Sequence, residues 1–134
     1  MGKQYEVGYE FPSLTKPAVT KVQLTKYAGA SGDFNPLHLD DRVGKEAGIG
    51  GVIAHGMLIM GMAGEAIGSW VPRISLKGFS VRFKAMTVPG EVITLTGRVV
   101  EKEKTDNGSL IICQVEAKNQ SDEIKLSGRF TALL

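Results

Sequence analysis

The sequence is poor in the residues that build metal and redox centres, and it has no long hydrophobic run. Its 134 residues include one cysteine, Cys113, and two histidines, His38 and His55. A single cysteine excludes an internal disulfide framework and any CxxC metal or redox site. His38 and His55 could join Asp33 as metal ligands, but no further ligand at metal-site spacing accompanies them, and no metal or cofactor is expected. The most apolar stretch, residues 56–64 between His55 and Glu65, falls far short of the ~20 residues that span a bilayer. Residues 1–10 lack the apolar core of a signal peptide, so no membrane partner and a cytoplasmic location (or an organelle matrix after loss of an import segment) are expected. Sixteen Lys plus Arg stand against fourteen Asp plus Glu, a net charge of +2. The basic residues are scattered, so a nucleic-acid partner is not expected. GxGxxG after a strand, a P-loop and a GxSxG elbow are also missing.

What is present describes one globular domain over residues 1–134, with 43% hydrophobic and 22% charged residues. Its two halves differ, with the change near Trp70. Thr20-Lys21-Val22-Gln23 reads as a capping box, followed by a partial apolar face of Val22, Leu24, Tyr27 and Ala28 that ends near Gly32. Asn35-Pro36 demands extended or turn backbone, because Pro36 keeps Asn35 out of the α region. A second short helix is expected from an Asp40 cap to Gly48. A third, Gly56 to Gly68, is apolar almost all round, with Met57, Met60 and Met62 as core filling, and belongs inside the protein. Its Gly61, Gly64 and Gly68 are small residues at helical spacing that allow close approach of other backbone. After Trp70 the period becomes two: Phe79, Val81, Phe83, Ala85; Ile93, Leu95, Gly97, Val99; Ile111, Cys113, Val115, Ala117; and Ile124, Leu126, Gly128, Phe130 are the inward sets. Lys125 falls among the outward residues. Pro89-Gly90, Asp106-Asn107-Gly108 and 119–122 are the turns between these four antiparallel strands. The expected fold is α+β, a curved antiparallel sheet around one central apolar helix.

Two segments carry candidate chemistry. In Asp33-Phe34-Asn35-Pro36-Leu37-His38 a turn can bring a carboxylate and an imidazole to one small volume, where they would hold and deprotonate a water. The competing reading has Asp33 capping a turn and His38 satisfying a carbonyl. In Ala54-His55-Gly56-Met57 the start of the third helix offers unpaired backbone N–H groups, and Gly56 leaves room for an oxyanion. The alternative makes Gly56 a packing glycine and His55 a helix-start residue. Lys77, Arg82 and Lys84 could meet phosphates, or simply be solvated. Cys113 is expected to be an inert packing residue.

Together, Tyr27-Ala-Gly-Ala-Ser-Gly-Asp33-Phe-Asn-Pro-Leu-His38-Leu-Asp40 and Ile53-Ala-His-Gly-Met-Leu58 closely resemble the MaoC-like dehydratase family. That family includes (R)-specific enoyl-CoA hydratases and the subunits of bacterial 3-hydroxyacyl-ACP dehydratases. The resemblance runs through residues 20–70 and continues more loosely through Val81-Arg82-Phe83. It implies the hotdog fold, with Asp33 and His38 as catalytic dyad and Asn35 supporting the dyad or substrate. It places Gly56 as the backbone donor to the thioester oxygen, with His55 beside it in substrate positioning. The family's (R)-hydratases often carry a serine further along the central helix, where this chain reads Gly61-Met-Ala-Gly-Glu65. The implied reaction is reversible hydration of trans-2-enoyl to (R)-3-hydroxyacyl thioesters of CoA or ACP, in fatty-acid metabolism. The Gly-rich segment leans towards the catalytic subunit of an ACP dehydratase. A hotdog-type acyl-thioester hydrolase and a non-catalytic acyl-binding subunit of a heterodimeric dehydratase are the alternatives. A single hotdog leaves a sheet edge and one side of its acyl tunnel open, so a dimer is expected, of identical chains or of a heterodimeric pair.

Overall fold

A computed structural model of the chain describes residues 5–134. In order along the chain lie β1 (Leu14–Thr15), α1 (Lys21–Ser31), a 3₁₀ turn (Pro36–His38), α2 (Asp41–Glu46), α3 (Gly56–Trp70), a second 3₁₀ turn (Arg73–Ser75), β2 (Leu76–Phe83), β3 (Thr94–Thr105), β4 (Gly108–Lys118) and β5 (Ile124–Leu133). The strands form one antiparallel sheet in the order β1-β3-β4-β5-β2. This is the α+β arrangement anticipated from the two periodicities, with β1 as an additional short edge strand. Among the described residues no helix is long and apolar enough to cross a membrane.

The local signals that set the first half are realised atom by atom. The Thr20 hydroxyl accepts from the Gln23 N–H at 3.0 Å, and the Gln23 side chain accepts from the Thr20 N–H at 3.4 Å. Gly32 ends α1 in the left-handed region at φ +76°, donating to the Ala28 carbonyl. Asp40 caps α2 through the Arg42 N–H. Val22, expected on the apolar face of α1, is instead exposed; Leu24 and Ala28 carry the burial.

The sheet buries one face. Leu95, Gly97 and Val99 of β3, Cys113, Val115 and Ala117 of β4, and Leu126, Phe130 and Ala132 of β5 are buried, with more exposed residues between them. Helix α3 lies in the concavity, burying Ile59, Met62, Ala63, Ala66, Ile67 and Trp70. Its poor intrinsic propensity is overcome by this packing. Trp70 crosses the C-terminal end, stacked on Phe11 and donating from Nε1 to the Pro12 carbonyl at 2.7 Å. Burial pushes the Cys113 thiol up to about 12, so at neutral pH it is an un-ionised packing group.

The structure departs from the periodic pattern at several points. Helix α3 runs two residues further, to Trp70, and is not buried all round: Met57 is 58% exposed and Gly61 is exposed. A Cβ at Gly61 or Gly64 would meet nothing within 4 Å, so among the described residues no other element's backbone approaches them closely. Phe83 keeps the inward parity of β2, but the strand ends there and the ring is 51% exposed beside the start of α3. Lys125 is 2% exposed rather than outward. The β4–β5 register passes from Ala117↔Leu126 to Lys118↔Ile124, leaving Lys125 as the extra residue of a β-bulge, which re-aims its side chain.

Gly97 is the tightest contact of sheet and helix. A Cβ there would lie 2.5 Å from Cζ3 of Trp70. Gly97→Ala is therefore expected to destabilise the fold by about 1–3 kcal/mol, as overpacking does. A thermal melt followed by circular dichroism checks this, and an unchanged midpoint would contradict the packing.

Candidate active site

The Pro36–His38 turn and the segment leading into α3 are joined by a short ladder of hydrogen bonds. The Ile53 N–H donates to the Leu37 carbonyl at 3.0 Å. The His38 ring lies 2.8 Å, through Nδ1, from the Ile53 carbonyl. A carbonyl only accepts, so the proton of neutral His38 sits on Nδ1 and the Nε2 lone pair is free. That Nε2 lies 3.8 Å from Oδ2 of Asp33. The gap is too long for a direct hydrogen bond and right for one water shared between two acceptors.

The Asp33 carboxylate is anchored by its other oxygen. Oδ1 accepts from the Asn35 N–H at 3.2 Å, while Oδ1 of Asn35 accepts from the Leu37 N–H at 3.0 Å. The two competing readings of these residues thus coexist. Asp33 caps the turn with one oxygen and His38 satisfies a carbonyl with one nitrogen; Oδ2 and Nε2 remain for chemistry. Asn35 acts through its cap on the 3₁₀ turn, holding the spacing of the pair.

His55 sits behind the dyad. Its ring is 2% exposed, stacks on His38 at 3.7 Å between centroids, and places Nε2 at 3.0 Å from the Asp33 carbonyl. Tyr27 contacts its other side edge-on. Nδ1 of His55 is buried and has no hydrogen-bond partner among the described residues. The residue therefore supports both dyad members at once, from behind rather than from within the cavity. Asp33, His38 and His55 each offer a ligand atom, all within 4.8 Å of one another. The stacking places the in-plane lone pairs of the two rings in nearly parallel planes, 23° apart, which is a poor geometry for converging on one ion.

Gly56 is the first residue of α3, so its N–H has no intrahelical acceptor and lies at the positive end of the helix dipole. It faces a cavity of about 360 Å³ that it shares with His38, Ile53, Ile59, Phe83 and Met86. A Cβ at Gly56 would stand 3.2 Å from the Phe83 ring. Of the three basic residues singled out in the sequence, Lys84 borders this cavity; Lys77 and Arg82 are exposed elsewhere on β2. A wider recess of about 510 Å³ on the sheet, bordered by Arg82, Arg98 and Arg129, contains none of the dyad.

The segment before the site is braced from α2. Asp41 accepts from the Val52 N–H at 3.0 Å and pairs with Lys21. The Lys21 hydrogen bond and then the Val52 N–H hold the Asp41 carboxyl below its ordinary value of 3.8. The sequence reading missed the wall formed by Met86 and Thr87. No motif marks that loop, and its position depends on the bulge at Lys125.

The chain matches the model of the MaoC-like domain over residues 5–121. It is 30% identical over 121 residues to the peroxisomal hydratase-dehydrogenase-epimerase of Neurospora crassa, covering 87% of this chain and 12% of that protein. It is 28% identical over 109 residues to the mitochondrial 3-hydroxyacyl-[acyl-carrier-protein] dehydratase of Arabidopsis thaliana, covering 81% of this chain and 66% of that protein. Among solved structures, the unliganded R-hydratase PhaJ1 of Pseudomonas aeruginosa superposes with a TM-score of 0.82 at 25% identity, over 96% of this chain and 81% of that one.

The geometry sets the tautomers. In a ¹⁵N-resolved spectrum of the neutral rings, His38 is expected to carry its proton on Nδ1 and His55 on Nε2. The opposite tautomer at either ring would contradict the arrangement.

Proposed function

The chain belongs to the MaoC-like domain family, and from that premise we propose that it is a hydro-lyase interconverting trans-2-enoyl and (R)-3-hydroxyacyl thioesters of CoA or ACP in fatty-acid metabolism, with residues 1–134 as one hotdog domain. The observation that carries the reading is the 3.8 Å separation of Asp33 Oδ2 and His38 Nε2, with His38 and Gly56, the first residue of α3, lining one cavity. Oδ2 and Nε2 are both acceptors, so together they engage both hydrogens of one water and leave its lone pairs facing the substrate.

Hydration then needs three things, and each has a group. The water oxygen bonds to C3 of the enoyl chain while one of its protons passes to the dyad. A proton returns from the dyad to C2, so the elements of water add across the double bond from one face. Charge that builds on the thioester oxygen is met by the Gly56 N–H and the dipole of α3. His55 and Asn35 contribute by holding the dyad in place.

Pure protein incubated with crotonyl-CoA, and with enoyl-ACP of several chain lengths, is expected to bleach the conjugated enoyl-thioester absorbance. No change with any of these substrates, or release of free thiol instead, would overturn the reading. Asp33→Asn and His38→Ala should each lower kcat/KM on the order of 10²-fold or more. Asp33→Asn keeps Oδ1 for the Asn35 N–H and should leave the thermal midpoint near that of the parent, whereas His38→Ala also loses the bond to the Ile53 carbonyl and should lower it. Full activity in both variants would refute the dyad.

We further propose a dimer. Strand β2 is a sheet edge, and Phe83 and Met86 of the cavity lining, with Met57 next to Gly56, are each more than half exposed. A second copy laid along this edge would cover them and close the open side of the cavity. Light scattering should give about twice 14.4 kDa; a monomeric mass with full activity would refute the assignment.

A further inference from the structure

Lys125 lines the same cavity as His38 and is a buried cation that the proposed reaction does not use. Its Nζ donates to the Met86 carbonyl at 2.7 Å, pairs with Oε2 of Glu91 at 2.9 Å and pairs with Glu123. Glu91 is itself fully engaged: Oε1 accepts from the Val88 N–H at 2.8 Å and Oε2 from Asn119 Nδ2 at 2.6 Å. Burial alone would raise the Glu91 carboxyl, but the bonds from Asn119, Val88 and Lys125 outweigh it and hold the group below its ordinary value. Likewise, burial would lower the Lys125 ammonium, and its bonds to Glu123 and Glu91 raise it instead. With its donors taken by these three oxygens, Lys125 has no free valence for substrate. What it does is hold backbone.

The Lys125 main chain adds to this hold, because its carbonyl accepts from the Lys84 N–H at 2.9 Å. The loop after β2 is thus gripped at Lys84, Met86 and Val88. Between two of those points, the Thr87 carbonyl accepts from the Ala54 N–H at 2.7 Å. Ala54 lies between Ile53, whose carbonyl sets the His38 tautomer, and His55-Gly56, which begin α3. A continuous path therefore runs from the Lys125 ammonium through Met86-Thr87 and Ala54 to His38 Nδ1 on one side and the Gly56 N–H on the other. We propose that Lys125, with Glu91, is a positioning residue for the reaction: its ion pair sets the distance between the dyad and the Gly56 donor. This rests on the hydratase reading for its kinetic consequence, and on the structure alone for its geometric one.

Removing Lys125 by itself would leave Glu91 short of a counter-charge, so the informative variant is the double substitution Lys125→Met with Glu91→Gln, which keeps the volume and removes both charges. The folded double variant is expected to lose on the order of tenfold to a hundredfold in kcat, because a small misplacement of reacting groups is costly. KM should stay within about threefold, the pattern of an interaction realised in the transition state. Lys125→Arg, which keeps the charge and the donors, should recover most of that loss. In parallel, the His38 Nδ1–H signal should weaken or shift in the double variant and return in Lys125→Arg. Wild-type kcat with an unchanged His38 signal in a folded double variant would overturn the proposal, as would a kcat loss with that signal unmoved. If the parent turns over no enoyl thioester yet the His38 signal still follows residue 125, the positioning stands and the assigned reaction fails.

Discussion

The hydrogen bond from His38 Nδ1 to the Ile53 carbonyl is the constraint around which the site is arranged. It fixes which imidazole nitrogen is free and turns that nitrogen towards Asp33. It also joins two segments 15 residues apart in sequence: the Asp33–His38 turn and the run into α3. Through that join His38 and Gly56 come to line one cavity. The remaining contacts of the region protect this bond: the Asn35 cap shapes the turn, His55 fills the space behind it, and Asp41 braces the backbone at Val52.

The sheet serves the same end from the opposite side. A regular β5 would point Lys125 to solvent, where an isolated lysine contributes little. The bulge turns it inward, and a buried charge is tolerable only because Glu91, Glu123 and the Met86 carbonyl receive it. Such an arrangement is a costly way to gain stability, since an apolar group of similar volume would often serve as well. It is an effective way to hold the Lys84–Val88 loop in a single position. A packed apolar contact can slide; a charge-assisted hydrogen bond to a named carbonyl cannot.

Much of the first half of the fold could be read directly from residues 20–58. Capping box, glycine C-cap, pre-proline turn and Asp40 cap are local signals, each complete within a few residues, and each was found where expected. The strands were legible through period two, and their paired turns limited the possible topology. Burial was read less well. Val22, Met57 and Phe83 are apolar and exposed, and Lys125 is charged and buried. In each case the deciding neighbour is remote in sequence, or belongs to a surface that this chain alone does not cover.

By itself the sequence determined the elements, the sheet's inward face and the two segments that form the candidate site, because these depend on caps, turns and periods that act over a few residues. Tertiary structure alone decided which polar atoms of those segments hold backbone. It engaged one oxygen of Asp33 and one nitrogen of His38 in holding the backbone and left the other oxygen and the other nitrogen 3.8 Å apart, with His38 at the wall of the cavity. It stacked the buried His55 ring on His38, and it brought the bulged Lys125 to the cavity beside Met86. Those outcomes depend on distances between segments 15 to 39 residues apart, and such distances exist only after the helix has been seated in the sheet.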